Sequence, residues 1–226
     1  MHSGAYVWDF NVVWEYRDLL RHAVYLTLSL SGLTVVLGIA LGILFALLRT
    51  SGSLWLSVPV TVLVEVTRSI PSLVLLVWMY YCLPLLFGLS PSAFMTSVLA
   101  LAWYSSAFFA EIFRGGIQSI DRGYIEAGYS VGMTRTQVLK RIIGPLAFRQ
   151  IFPPLIGQCV LVIKNTALVG YIAVADILYV GQQISINTFR PIEVLTVVAG
   201  LFVMIILPLT LTARFLEIRF RRALQE

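Results

Sequence analysis

Between Arg68 and Glu111 the chain runs for 42 consecutive residues without one Asp, Glu, Lys or Arg. A helix or strand of a soluble protein keeps a polar face toward water and cannot sustain such a run. The rest of the chain agrees, since its 226 residues hold only 16 basic and 11 acidic side chains, 12% of the total, beside 59% apolar or aromatic ones. Soluble domains carry about 25% charged and about 45–50% apolar residues. A water-soluble enzyme is thereby excluded, and the chain is read as embedded in a membrane. At about 20 residues for each spanning helix, the length admits some five or six spans. Apolar segments of this length are read as spanning helices, and the fold class as all-α.

Few residues are available for chemistry. His2 and His22 are the only histidines, and Cys82 and Cys159 the only cysteines, each cysteine in apolar surroundings. Neither pair has the spacing of a zinc site, and a histidine-dependent nucleophile triad has nothing to build on. No catalytic residue, no metal site and no cofactor bound by this chain are expected. The net charge of +5 suits the excess of Lys and Arg on cytoplasmic loops better than nucleic acid.

Five spans can be placed. The first covers 23–48, flanked by Arg21 and Arg49 and lying behind an upstream segment too acidic for a cleavable signal peptide. The second, 54–86, is interrupted by Glu65, Arg68 and Pro71, with Pro84, Gly88 and Pro91 supplying the turn that follows. The third runs from 93 to 113, the fourth from 151 to 173 with Lys164 midway, and the fifth from 194 to 213. An odd number of spans puts the termini on opposite sides. With the C-terminus inside, the cytoplasmic side collects Arg49, Arg68, six basic residues of the loop 114–149 and four of the tail, which is 12 of the 16. The opposite side holds Arg17, Arg21 and Arg190. The N-terminus is therefore expected outside. The chain divides into an extracytoplasmic segment 1–21, a membrane domain 22–217 and a basic tail 218–226.

The loop reads as two short helices. Thr134 followed by Gln137 is a capping-box pattern. Val138, Leu139, Ile142 and Ile143 then form an apolar stripe, with Arg135, Lys140 and Arg141 opposite. Gly128 and Gly132 permit close approach or a reversal, and Pro145 suits the first turn of the next span. From helix rules alone this is a helix pair lying on anionic lipid. Glu126-Ala127, Gly132, Ile142 and Pro145 also match, in spacing, the EAA signature of bacterial ABC importer permeases. Gly128 stands where that signature has its third alanine, and Gly144 where it has a leucine. Glu65-Val-Thr-Arg68-Ser-Ile-Pro71, Glu111-Ile-Phe-Arg-Gly-Gly-Ile-Gln118 and Lys164-Asn-Thr-Ala-Leu-Val169 resemble, in order, the polar amino-acid branch of that family, departing from its Arg-Gly-Thr-Pro at Ser69 and Ile70.

The resemblance implies a coupling segment over 119–145, with Glu126, Ala127, Gly128, Gly132 and Pro145 in contact with a separate ATPase. It also implies partners: an ATPase dimer using ATP and Mg2+, a second permease subunit, identical or homologous, and an extracytoplasmic binding protein that delivers a polar amino acid. The location it implies is the bacterial cytoplasmic membrane. The chain has only two lysines, after Leu139 and Ile163, and neither lies in the Gly-Lys-Ser/Thr of a P-loop.

Charges at bilayer depth cost at least about 2.5–3.5 kcal/mol, so Glu65, Arg68 and Lys164 require a reason. Glu65 and Arg68 share a helix face and can form a mutual ion pair. The helix break at Pro71 leaves a half-helix N-terminus whose free N–H groups attract a carboxylate, and the resemblance implies that this break, with Glu65, Arg68 and Ser69, lines the substrate path. Lys164, Asn165 and Thr166 can line the same path or make ordinary interhelical hydrogen bonds. Asp176 lies beyond the fourth span on the outer side, as a gate or a partner contact. The competing function is an ATP-independent carrier or channel using Glu65, Arg68 and Lys164 as an ion or proton path.

Overall fold

A computed structural model of the chain describes residues 6–88 and 91–222, with side chains described as far as residue 218. The described residues form helices and no strands. After a short turn, α1 (Asn11–Glu15), the chain enters α2 (Arg17–Arg49), the longest helix. Next come α3 (Leu54–Ser69) and α4 (Ser72–Phe87), bent against each other by 104°, and then α5 (Ala93–Gln118). The loop carries α6 (Arg122–Ser130) and α7 (Arg135–Val138); α8 (Gly144–Asn165) follows through a π-helical turn, Leu139–Ile143. A 3-10 segment, Thr166–Ile172, leads to α9 (Ile177–Thr188) and α10 (Pro191–Arg222). Four helices are long and apolar enough to cross a membrane, or five if the bent pair counts as one span.

The packing is that of helices in lipid. The buried stripe of α2 is built largely of small residues, Ala23, Thr27, Ser31, Thr34, Gly38, Gly42 and Ala46, at helical spacing, while Leu33, Val36, Leu44 and Leu47 point outward. Small residues let backbones approach where no hydrophobic drive between helices exists. At Gly42 a Cβ would come within 2.5 Å of the Phe109 Cβ and 3.1 Å of the Ser106 carbonyl oxygen, so α2 and α5 touch there almost backbone to backbone. α10 turns large apolar side chains such as Val203, Met204 and Leu207 outward. One core, Leu20, Ala23, Ile177, Val180, Ile184, Val194 and Val198, joins α2, α9 and α10. Another, around Leu30, Leu76, Leu101 and Val169, joins α2, α4, α5 and the 3-10 segment.

The second span breaks where expected: Ile70 is extended (φ −90°, ψ 132°) ahead of Pro71, as pre-proline sterics require. Other expectations change. Pro84 does not end its helix, because α4 continues to Phe87 and turns at Gly88 in the left-handed region (φ 63°). Leu139 leaves the expected apolar stripe and is 55% exposed. It begins the π turn, whose wider pitch rotates it off the α-helical face. Lys164 lies inside the fourth span, Arg135–Ile172, as the next-to-last residue of α8, where the α-helix gives way to the 3-10 segment. α9, absent from the sequence-based placement, fills the connection before the last span. The segment from Tyr6 is tied to the start of α10: the Tyr6 hydroxyl donates to Glu193 at 2.5 Å, the Asp9 amide donates to it at 3.1 Å, and Arg190 donates to the Val7 carbonyl at 2.8 Å.

Candidate functional site

At the end of the bundle where α5 gives way to the loop, α6 and α7 form a hairpin. Asp121 caps α6, accepting from the Gly123 amide at 2.7 Å. Thr134 and Gln137 form the complete capping box of α7: the Thr134 amide donates to the Gln137 side chain at 2.8 Å, and the Gln137 amide donates to the Thr134 hydroxyl at 3.4 Å. Gly132 makes the reversal at φ 80°, a conformation that side chains disfavour. Gly128 is buried against the second arm, where an added Cβ would stand 2.7 Å from Ile142 Cδ1 and 3.0 Å from Val138 Cγ2. The outward surface keeps Glu126 and Ala127 exposed, with Tyr124, Tyr129, Val131 and Leu139. The Glu126 carboxylate has no hydrogen-bond or ion-pair partner among the described residues.

The hairpin's second arm does not stop. Gly144 is helical (φ −56°, ψ −55°), and α7, the π turn and α8 form one rod from Arg135 to Asn165, about 45 Å long at 1.5 Å per residue. Pro145, in the first turn of α8, cannot donate to the carbonyl four residues back; a π turn immediately before it absorbs the mismatch. At the far end of this rod stand Lys164, Asn165 and Thr166. Lys164 is exposed to an apolar groove of about 520 Å³ between α8, α9 and α10, lined also by Ala167, Leu178, Leu195, Val198 and Phe202. Its ammonium finds no acidic partner among the described residues. Thr166 is buried and spends its hydroxyl on the Ile163 carbonyl at 2.7 Å, so it bonds within its own helix rather than across to another.

Glu65 and Arg68 lie elsewhere. They pair with each other at 3.4 Å, inside a larger cluster that also holds Arg49, Glu111 and Arg114. Arg49 reaches Glu111 at 2.8 Å and Glu65 at 3.6 Å, Arg68 lies 4.0 Å from Glu111, and Arg114 bonds both Glu111 and Gln118. Because Arg49 is the last residue of α2, the cluster sits at the loop end of the first span. Glu65 and Arg68 thus lie where α2, α3 and α5 meet beside the loop, next to Arg49, with which the sequence groups Arg68 on the cytoplasmic side. The Ser69 hydroxyl donates to the Glu65 carbonyl at 2.8 Å, and α4 starts after Pro71 with no side-chain cap, leaving its first amides to other partners. No hydrogen bond or ion pair links this group to Lys164, Asn165 or Thr166 among the described residues.

Two features had weak or no signals in the sequence. Arg49, Glu111 and Arg114 look like ordinary span flanks until three helices bring them together. Asp176 is fully buried and caps α9, accepting from the Leu178 and Tyr179 amides at 3.2 and 2.9 Å. Burial pushes its carboxyl up to about 6, partly opposed by those amide bonds. An Asp just before an apolar run is an N-cap pattern, which could have located α9.

A small-residue bundle with a helix hairpin exposed at one end and a proline-broken span beside it is the architecture of a membrane permease. The chain belongs to the family described as binding-protein-dependent transport system inner membrane component, which it matches over residues 38–222. It is 35% identical over 215 residues to the glutamine transport system permease of Escherichia coli (strain K12), covering 94% of this chain and 98% of that one. A probable glutamine ABC transporter permease of Bacillus subtilis (strain 168) is 31% identical over 215 residues, covering 95% and 99%. Among solved structures, an amino acid ABC transporter crystallised with histidines shares the fold at a TM-score of 0.87 and 32% identity, covering 95% of this chain and 100% of that one. A methionine ABC transporter in an inward-facing conformation, at TM-score 0.74 and 20% identity, shares the fold. These relatives are described as permeases; the chain is a membrane permease component and not itself the ATPase.

Proposed function

We propose that the chain is the permease subunit of an ATP-driven importer of polar amino acids in the bacterial cytoplasmic membrane, with its N-terminus outside and its C-terminus inside. The observation that carries this reading is the continuous helical run from the exposed hairpin to Lys164, through the π turn and Pro153-Pro154. A push on α6 and α7 reaches the segment 164–166 along that run, as alternating access driven by a separate engine requires, and the two prolines mark where it can bend. An ATPase dimer docks on Glu126, Ala127 and the apolar side chains around them, with Gly128 and Gly132 shaping the hairpin and Pro145 setting its junction with the span. ATP and Mg2+ belong to that partner, and this chain binds no cofactor. An extracytoplasmic binding protein delivers the ligand, and a second permease subunit completes the path.

The ligand path is assigned to the proline break after Arg68 and Ser69 and to Lys164 and Asn165, whose side chains have no hydrogen-bond or ion-pair partner among the described residues. Glutamine is the first substrate to test, since relatives over nearly the whole chain carry that name. The competing carrier would need Glu65, Arg68 and Lys164 in one chain of charges. Glu65 and Arg68 are instead neutralised by α2 and α5. Glu126→Lys tests the reading directly: the variant stays in the membrane but no longer retains a co-expressed ATPase on purification. Normal co-purification would remove the docking assignment.

A further inference from the structure

We propose that the furrow between the N-terminal part of α2 and the start of α10 is a binding site for an anionic glycerophospholipid. Its phosphate would be held by Arg17 and Arg21, and one acyl chain would lie along the apolar floor. The furrow has a volume of about 410 Å³; Leu20 and Val24 of α2 form one wall, Val197 and Leu201 of α10 the other, and Trp14 closes the top. Arg17, Leu20, Arg21 and Val24 recur at the spacing of a single helix face, as do Val197 and Leu201. Guanidinium and apolar groups therefore follow one another along a single track.

The track crosses from a charged to an uncharged zone. Arg21 is followed, after His22, by the uncharged residues 23–48, so both arginines lie at the level where phosphates sit, while Val24, Val197 and Leu201 lie at acyl depth. On α10 the lining residues Val197 and Leu201 are one turn apart, and on α2 the lining runs from Arg17 to Val24, about 10 Å along the helix, room for the upper part of an acyl chain beneath the guanidinium groups.

Charge arguments single out an anion. Among the described residues the charged side chains lining the furrow are Arg17 and Arg21; Glu15 and Asp18 are close in sequence but do not line it. Asp18 pairs with both arginines, with Arg21 at 3.1 Å and with Arg17 at 4.0 Å, yet all three side chains are 43–73% exposed, and such pairs hold about 0–1 kcal/mol. A phosphate can compete with Asp18 for both guanidinium groups. Arg17 lies over the Trp14 ring at 5.3 Å and donates to the Trp14 carbonyl at 3.2 Å, so it is already aimed at the mouth. Two cations in the first turns of a 33-residue helix oppose its dipole; a phosphate bound there is favoured by the guanidinium groups and by the helix end together.

The test uses the full chain in nanodiscs of phosphatidylcholine with increasing phosphatidylglycerol brominated on its acyl chains. The Trp14 component of fluorescence is obtained by difference from Trp14→Phe. Brominated phosphatidylglycerol should quench it at about tenfold lower mole fraction than brominated phosphatidylcholine. Arg17→Gln/Arg21→Gln should abolish that preference while thermal unfolding is retained, and native mass spectrometry should show one phosphatidylglycerol lost from the double variant. Equal quenching by both lipids would overturn the proposal as ordinary bilayer contact. Displacement by soluble glycerophosphate would overturn it in favour of a headgroup-only site. Protection of Trp14 on dimerisation, without lipid selectivity, would give the furrow to a second copy of the chain.

Discussion

Enlarging Gly128 tests whether the hairpin must stay closed for the permease to be driven. A methyl group there would stand 2.7 Å from Ile142 Cδ1 and 3.0 Å from Val138 Cγ2, against an ordinary contact distance of about 3.5–4.0 Å. Both opposing atoms are side-chain ends, so the arms need to part by somewhat under an ångström. Overpacking of this size costs about 1 kcal/mol at the low end, and Gly→Ala in a helix returns about 1 kcal/mol. Gly128→Ala is therefore expected to be near neutral. Gly128→Leu is different, because Val138 is only 1% exposed and the larger side chain has no unfilled volume to enter. Forcing α6 off α7 then costs about 3 kcal/mol. If the ATPase recognises only the closed hairpin, that cost lowers its apparent affinity roughly a hundredfold. The assay is titration of detergent-solubilised ATPase onto the immobilised permease, with membrane retention and thermal unfolding of the spans as controls. Full affinity of Gly128→Leu, with the spans intact, would refute the reasoning.

Other perturbations read other parts of the structure. Glu111→Gln leaves Arg49, whose side chain is 7% exposed, with the more distant Glu65 as its carboxylate partner and the Thr61 hydroxyl at 3.3 Å; the loss should be about 2 kcal/mol after allowing for partial exposure of the cluster. Thermal unfolding in nanodiscs should fall by about 4–8 °C, and an unchanged midpoint would deny the cluster a structural role. Asp176 carries a carboxyl whose ordinary value of 3.8 rises to about 6 in the fold. Its contribution to stability is full below pH 4 and lost as pH rises through 6, a change of about 3 kcal/mol. Asp176→Asn should flatten that part of the stability profile, and an identical pH slope in the variant would contradict the assignment. Lys164→Met should reduce ligand-stimulated ATP turnover at least tenfold while basal turnover persists; an unchanged ligand dependence would remove Lys164 from the path.

The parts of this structure that were legible in the sequence are those set by local chemistry. The uncharged run before Glu111, the break before Pro71, the capping box of Thr134 and Gln137, and the reversal at Gly132 all depend on residues within a few positions of one another. What was not legible depends on long-range packing. Nothing near Arg49 announces Glu65 or Glu111, which lie 16 and 62 positions away. The position of Lys164 at the end of α8 follows from a change to 3-10 geometry at Thr166, where an apolar run gives no composition signal. Pro84 was read as a turn because proline removes an amide donor, yet α4 tolerates it close to its C-terminal end, before Gly88. α9 is hard to see in the sequence because its polar residues, Gln182, Gln183, Ser185 and Asn187, dilute the apolar pattern.

Reconstituted uptake tests the central claim most directly. The purified chain is placed in proteoliposomes with its binding protein and glutamine, with and without the co-expressed ATPase, and accumulation is followed on adding ATP inside. The account predicts accumulation only when both ATPase and ATP are present, abolished by Glu126→Lys. Accumulation by this chain alone, indifferent to ATP, would contradict it.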